Sequence, residues 1–344
     1  MPRMKIVDYS FIGAVFVVLP ISALTWFLLT HQPTEVSPTL TRPLAMQPDT
    51  LQAVTPLSPI AGLDPARVAL GERLFNDPRL SGDETVSCAS CHDLAAGGVD
   101  GRRFSTGIGG ATGSINAPTV FNSAYNIAQF WDGRAATLEE QALGPLQDPI
   151  EMGATWPVVL ERLERDAEIL ARFRRLYPDG LTAANVLNAI ATFERSLIPL
   201  NSRFDRYLRG EREALTELEQ EGYRRFRELG CVSCHQGMLL GGNMYQKFGI
   251  FGDYFANVPE THSDLGRYNV TGREEDRHVF KVPSLRNVAM TAPYFHNGSA
   301  ATLEEAVQLM ARLQLGRELS GADVHAVAAF LRTLNGEPPK AGKK

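Results

Sequence analysis

All four cysteines of the 344-residue chain fall in two pentapeptides, CASCH from Cys88 to His92 and CVSCH from Cys231 to His235. Four cysteines in an exported chain would ordinarily suggest two disulfides. The histidine after each pair points elsewhere, because C-x-x-C-H is the attachment spacing of c-type haem. Two thiols can add across the haem vinyl groups, and the next residue brings an imidazole under the iron. A single match would also suit a dithiol redox motif. Two matches that use every cysteine make two covalent haems the reading, with Cys88, Cys91, Cys231 and Cys234 as thioether residues and His92 and His235 as iron ligands.

The second face of each iron is the next question, and an internal repeat addresses it. FWDGRAATLEE, Phe130 to Glu140, returns almost unchanged as FHNGSAATLEE, Phe295 to Glu305. Extended outward, the segment from Asn116 overlays the segment from Lys281 without a gap, setting Pro118 on Pro283, Asn122 on Asn287 and Gly133 on Gly298. A duplicated domain accounts for the likeness; the differences carry the information. Met310 follows the second copy, where the first has Pro145, and a thioether opposite a histidine makes a closed, raised-potential electron carrier. Met152 stands out of that register, so the second haem is expected to be closed by Met310 and the first to be open. If Met152 did bind iron, both haems would be closed and the protein would be a relay.

The elements that position these residues read as mostly α, with no convincing alternating strands. VALGERLFND and LEQEGYRRFREL place a helix before each haem motif. WPVVLERLERDAEILARFRRLYP, LTAANVLNAIATFERSLIPL and VHAVAAFLRTL carry further helical spacing. The expected organisation is two cytochrome c-like haem domains in tandem, 61–210 and 211–344, behind an anchor at 1–31 and a Pro/Thr-rich spacer at 32–60. Ser10 to Thr30 is an uncharged apolar run long enough to span a bilayer core of roughly 30 Å. Arg3 and Lys5 before it put the rest of the chain on the periplasmic side of the inner membrane. A cleaved signal peptide is the alternative, though such apolar regions run only ~7–15 residues. The formal charge of −5, from 34 basic and 39 acidic residues, and the lack of a long basic run exclude nucleic acid as an expected partner.

From about Leu63 to Leu334 the chain resembles the bacterial dihaem cytochrome c peroxidase family, which also contains MauG-type enzymes that oxidise a partner protein. The haem motifs, NAPTVFN, FWDGRA, EQALGP, PIEM, VPSLRN, PYFHNG and TLEEAV recur in the family's order. The resemblance implies that the His92 haem is the low-potential peroxidatic one and the His235/Met310 haem the electron-entry one. It implies Glu151 as the distal acid-base carboxylate, Gln141 as the amide beside it, and Trp131 as the tryptophan between the haems. It also implies one calcium ion held by Asn116 and the carbonyls of Thr291 and Pro293, oxygen ligands that suit a hard cation. A small cytochrome c or cupredoxin is the expected donor, hydrogen peroxide the substrate, and a homodimer the assembly. His296 is expected to be structural or to face a propionate, and His262, His278 and His325 are surface or packing positions.

One departure matters. Many members close the resting peroxidatic iron with a histidine in the loop after the first motif, but here that loop is DLAAGGVDGRRFSTGIGGATGSIN, with Ile108 near the place. The first haem is therefore expected to be open without reductive priming. MauG-type enzymes close the other haem with a tyrosine, and Met310 follows the peroxidase pattern instead. Oxidation of a protein or small organic substrate, and non-catalytic electron transfer, remain the alternatives to peroxide reduction.

Overall fold

The computed structural model describes residues 54–256 and 259–339, so the expected anchor and most of the spacer lie outside the described residues. Helices dominate. In the first half they are α1 (Pro65–Phe75), the one-turn α2 (Cys88–Cys91), α3 (Leu138–Gln147), α4 (Trp156–Glu164), α5 (Ala167–Leu176) and α6 (Ala183–Ser196). The second half has α7 (Arg203–Leu208), α8 (Glu217–Glu228), the one-turn α9 (Tyr268–Thr271), α10 (Leu303–Leu315) and α11 (Gly321–Arg332). One antiparallel pair, β1 (Tyr245–Lys247) on β2 (Val279–Lys281), joins them, with Gln246 opposite Phe280. Three-residue strands are too short to display the alternation from which a strand is read. Among the described residues no helix is long and apolar enough to cross a membrane.

Local chemistry sets the helix limits. Asp64 caps α1 by accepting from the Ala66 N–H, with Pro65 at the first helical position, where its missing N–H costs nothing. The long periodic run from Trp156 breaks in two because the Asp166 carboxylate takes the N–H groups of Glu168 and Ile169 and starts α5 afresh. Thr137 caps α3 and Thr302 caps α10 by the same bond to the third residue on, while Glu140 and Glu305 reach back to the Ala136 and Ala301 N–H groups.

The two halves repeat in packing as well as in letters. In the first, α1 crosses α6 so closely that a Cβ on Gly71 would lie 2.0 Å from the Ala189 carbonyl oxygen. In the second, α8 crosses α11, and a Cβ on Gly222 would lie 1.9 Å from the Ala326 oxygen. Phe130 and Phe295, and Asn122 and Asn287, hold matching left-handed backbone conformations. Around the first crossing lies one apolar core with Leu70, Leu74, Phe75, Phe173, Ile190 and Phe193; around the second lies another with Phe204, Phe226, Val327, Phe330 and Leu331. Each fully buried Leu or Phe contributes roughly 1.5–3 kcal/mol. Arg286 and Asp205, both fully buried, pair at 2.8 Å, and Arg286 also donates to the Thr55 carbonyl, fastening the start of the described chain to the second core.

Candidate active site

The four cysteines are free of disulfide bonds. Burial pushes the Cys88 thiol up to about 12 and the Cys231 thiol up to about 11. A dithiol redox motif needs the opposite, a lowered thiol. The histidines are arranged as ligands. His92 Nδ1–H donates to the Gly98 carbonyl at 3.2 Å and His235 Nδ1–H to the Leu240 carbonyl at 3.0 Å. A carbonyl can only accept, so each Nε2 is left unprotonated with its lone pair free for a metal. Burial lowers both imidazoles, His235 to about 4, which keeps them neutral.

At the second motif these groups open into a cavity of about 530 Å³ lined by Cys231, Cys234, His235 and Met310 among largely apolar neighbours. That volume lies within the ~300–1,000 Å³ of cofactor sites. The thioether of Met310 and the imidazole of His235 thus share one chamber, and the donor set, two thiols, a free imidazole nitrogen and a thioether, fits a covalent haem.

At the first motif the surroundings differ. Pro145 sits inside α3, one turn beyond Gln141, and its carbonyl accepts the Met152 N–H at 3.1 Å. Glu151 is held by its N–H to the Asp148 carbonyl and by its own carbonyl, which accepts the Ile108 N–H at 2.9 Å. Burial, aided by the Asp148 charge and opposed by Arg134, raises the Glu151 carboxyl above the ordinary glutamate range. Burial pushes up the Cys91 thiol, and the charges of Asp100 and Glu151 add to it, so the Glu151 carboxyl is electrostatically coupled to the first motif. The Gln141 side chain makes no hydrogen bond to that carboxyl. Met152 is buried in the first apolar core among Leu70, Leu74 and Phe121. The loop after the motif folds onto this segment: Gly107 lies so close that a Cβ would meet the Ile150 oxygen at 2.0 Å, and the Ile108 side chain covers Gly153.

Trp131 lies on the wall of the second cavity, although it belongs to the first copy of the repeat. Its Nε1–H donates to the Asn116 carbonyl at 2.9 Å, and its own carbonyl accepts the Lys281 N–H at 2.8 Å. The His296 ring meets its edge at 6.4 Å between centroids, lies on Phe280 at 4.4 Å, and bonds through Nε2 to Asp264 at 2.7 Å. Asn116, Thr291 and Pro293 line the same chamber. The Asn116 amide nitrogen donates to the Arg102 carbonyl at 2.9 Å. His278 pairs with Glu260 and packs on Phe255, whose ring also meets His296.

Three residues of this arrangement escape sequence reasoning. Gly71 and Gly222 set the helix crossings, yet a glycine inside a helical pattern reads only as a weakness. Lys281, 7% exposed, lines the second cavity with its ammonium drawn down to about 8 by burial, with Asp132 opposing. The gapless overlay of Lys281 on Asn116 was the available signal.

The profile of the di-haem cytochrome c peroxidase family matches residues 65–213. The chain is 50% identical over 287 residues to cytochrome c peroxidase Ccp of Escherichia coli (strain K12), covering 83% of this chain and 61% of that protein. It is 45% identical over 293 residues to the cytochrome c551 peroxidase of Nitrosomonas europaea, covering 84% of this chain and 86% of that one. Among solved structures it superposes on a MauG-like protein associated with microbial copper homeostasis with a TM-score of 0.74 at 32% identity, over 84% of this chain and 95% of that one.

Proposed function

This chain belongs to the dihaem cytochrome c peroxidase family, and from that premise we propose that it reduces hydrogen peroxide to water with electrons from a small cytochrome c or cupredoxin. One peroxide, two protons and two electrons give two waters. When bound, the haem of the first site supplies the metal centre for cleavage of the oxygen–oxygen bond and the haem of the second supplies electron entry. The protein's own groups do the rest. His92 and His235 present a free Nε2 upward, and Met310 closes the second site. Glu151 accepts the proton of the attacking peroxide oxygen and returns it to the departing one. Such acid-base help contributes ~10²–10⁴-fold, or roughly 3–5 kcal/mol of barrier. Gln141 orients the peroxide, and Trp131 provides the aromatic step between the sites.

The observation that carries this reading is the partly buried Glu151 carboxyl, raised by burial and coupled through its charge to Cys91 of the first motif, while the second motif shares its chamber with Met310. Glu151→Gln tests it. Both haems should remain and peroxidase turnover should fall by roughly 10²-fold or more; unchanged turnover removes Glu151 from the mechanism.

The same reading extends to features of finer grain. Asn116 with the Thr291 and Pro293 carbonyls is a calcium site between the halves, supported by their common place on one chamber wall. Ser10 to Thr30 anchors the chain with its globular part in the periplasm, supported by the length and uncharged composition of that run. The protein works as a homodimer. Oxidation of a protein substrate in the MauG manner is the second reading, drawn from the absence of a histidine between His92 and His235. Fast steady turnover with a small donor protein decides for the peroxidase.

A further inference from the structure

The two halves can be registered through contacts. Gly71 lies against the Ala189 carbonyl and the Phe193 Cβ, and Gly222 against the Ala326 carbonyl and the Phe330 Cβ. The Asn122 N–H donates to the Leu197 carbonyl at 2.9 Å, and the Asn287 N–H donates to the Leu334 carbonyl at 3.2 Å. Both sets of pairs give one register of α6 on α11, and that register sets Glu194 on Leu331. Leu331 lines the cavity of Cys231, Cys234, His235 and Met310. Glu194 therefore takes, at the first motif, the wall position that an apolar side chain takes at the second.

Its surroundings agree with that placement. Glu194 is 4% exposed, and one of its carboxyl oxygens is buried with no hydrogen-bond partner. Its charge reaches Cys88, whose thiol it helps to push up. Burial raises the acid to about 8; Arg195 on the same helix opposes this and Glu139 of α3 adds to it. Those two neighbours pair with each other at 2.9 Å, so their effects on Glu194 largely cancel. From α1, which crosses α6 here, Gly71 lies on Ala189 and Phe193 and the Phe75 ring meets that of Phe193 at 5.3 Å, contacts without charge. Cys88 carries no charge once it is a thioether. A carboxyl buried without a partner weakens the fold, and a leucine would avoid that cost.

We infer that Glu194 sets the potential of the first haem, keeping its proton while that haem is reduced and releasing it to solvent when the haem gives up an electron. The step balances as one electron given up to the peroxide reduced at that site, or to the electrode in a titration, and one proton lost from the carboxyl to solvent. The carboxylate left behind, in a low-dielectric wall, stabilises the positive charge that the iron gains. Leu331 can do neither, so the two sites separate in potential through a single exchanged wall residue as well as through Met310. The inference rests on the reading of the first motif as a haem site and names the group that lowers its potential.

The test is a spectroelectrochemical titration of the full-length protein with both haems attached, as wild type, Glu194→Gln and Glu194→Leu, from about pH 6 to about pH 9 around the buried acid. In the wild type the midpoint potential of the first haem should fall as pH rises. Both variants should lose that slope and show a higher first-haem potential at the alkaline end, with the second haem's potential unmoved. Glu194→Gln keeps the shape of the side chain and decides the matter if the leucine variant does not accumulate. A wild-type slope that survives in Glu194→Gln with two haems per chain overturns the inference. Fewer than two covalent haems per wild-type chain would overturn the underlying reading instead.

Discussion

The α8–α11 crossing allows a worked prediction for Gly222→Ala. The added Cβ would sit 1.9 Å from the Ala326 carbonyl oxygen, 2.7 Å from its carbon and 2.9 Å from the Phe330 Cβ. Ordinary non-bonded separations are about 3.5 Å, so the helices must part by more than about 1 Å. The obstructing atoms are helix backbone, which cannot rotate aside as a side-chain end could. Against rigid backbone the overpacking cost lies at the upper end of its usual range, about 3 kcal/mol, and the alanine returns about 1 kcal/mol of helix propensity, leaving a net loss of about 2 kcal/mol. At ~2–4 °C per kcal/mol in domains of this size, the melting temperature should drop by roughly 4–8 °C. Gly321→Ala is the control, because Gly321 opens α11 with nothing within 4 Å of the new Cβ. Far-ultraviolet circular dichroism on the haem-loaded proteins reads the shift. Phe226 and Leu331 line the second cavity, so the absorbance of the second haem should change in the same variant. Melting of Gly222→Ala within about 2 °C of the control would refute the claim that this contact sets the crossing.

Electron paramagnetic resonance of the fully oxidised protein should show one open, high-spin iron beside a low-spin one; two low-spin irons would show that some group replaces the missing histidine. Met310→Ala should lower the potential of the second haem and let a small ligand such as cyanide bind there, and a second site still closed to cyanide would remove Met310 as its ligand. The pH profile of turnover should rise through the Glu151 carboxyl. Burial raises that group, so the acid limb should lie above the ordinary glutamate value of about 4.3, and the limb should vanish in Glu151→Gln.

The legibility of this protein divides by distance along the chain. C-x-x-C-H is a local signal, and the structure adds the carbonyls of Gly98 and Leu240 that orient each imidazole. The place of Met310 in the chamber of His235 became legible through the repeat, because register between copies substitutes for knowledge of the fold. The break between α4 and α5 did not, since an aspartate within an amphipathic run reads equally as a solvated helix residue. Glu194 escaped for a related reason. In ATFERSL it looks like an ordinary charged helix position, and its burial follows from the approach of α1 at Gly71, which no local pattern encodes.

The duplication gives a way to weigh the polar residues of the interior. The two halves share caps, turns and helix crossings down to matching backbone conformations, so the frame alone asks for the same residue types in each copy. Where one copy pays to bury a charge or acid and the other does not, the frame is not the reason. Glu194 opposite Leu331 is such a place, as is Lys281 opposite Asn116, and both differences lie around the two motifs. Burying an uncompensated polar group costs ~1–3 kcal/mol, against a total stability of only about 5–15 kcal/mol. Substituting each of these residues with its counterpart should therefore hold or raise stability while making the two haem sites more alike. That combination separates residues kept for chemistry from residues kept for folding, since a folding residue would lose stability on the same exchange.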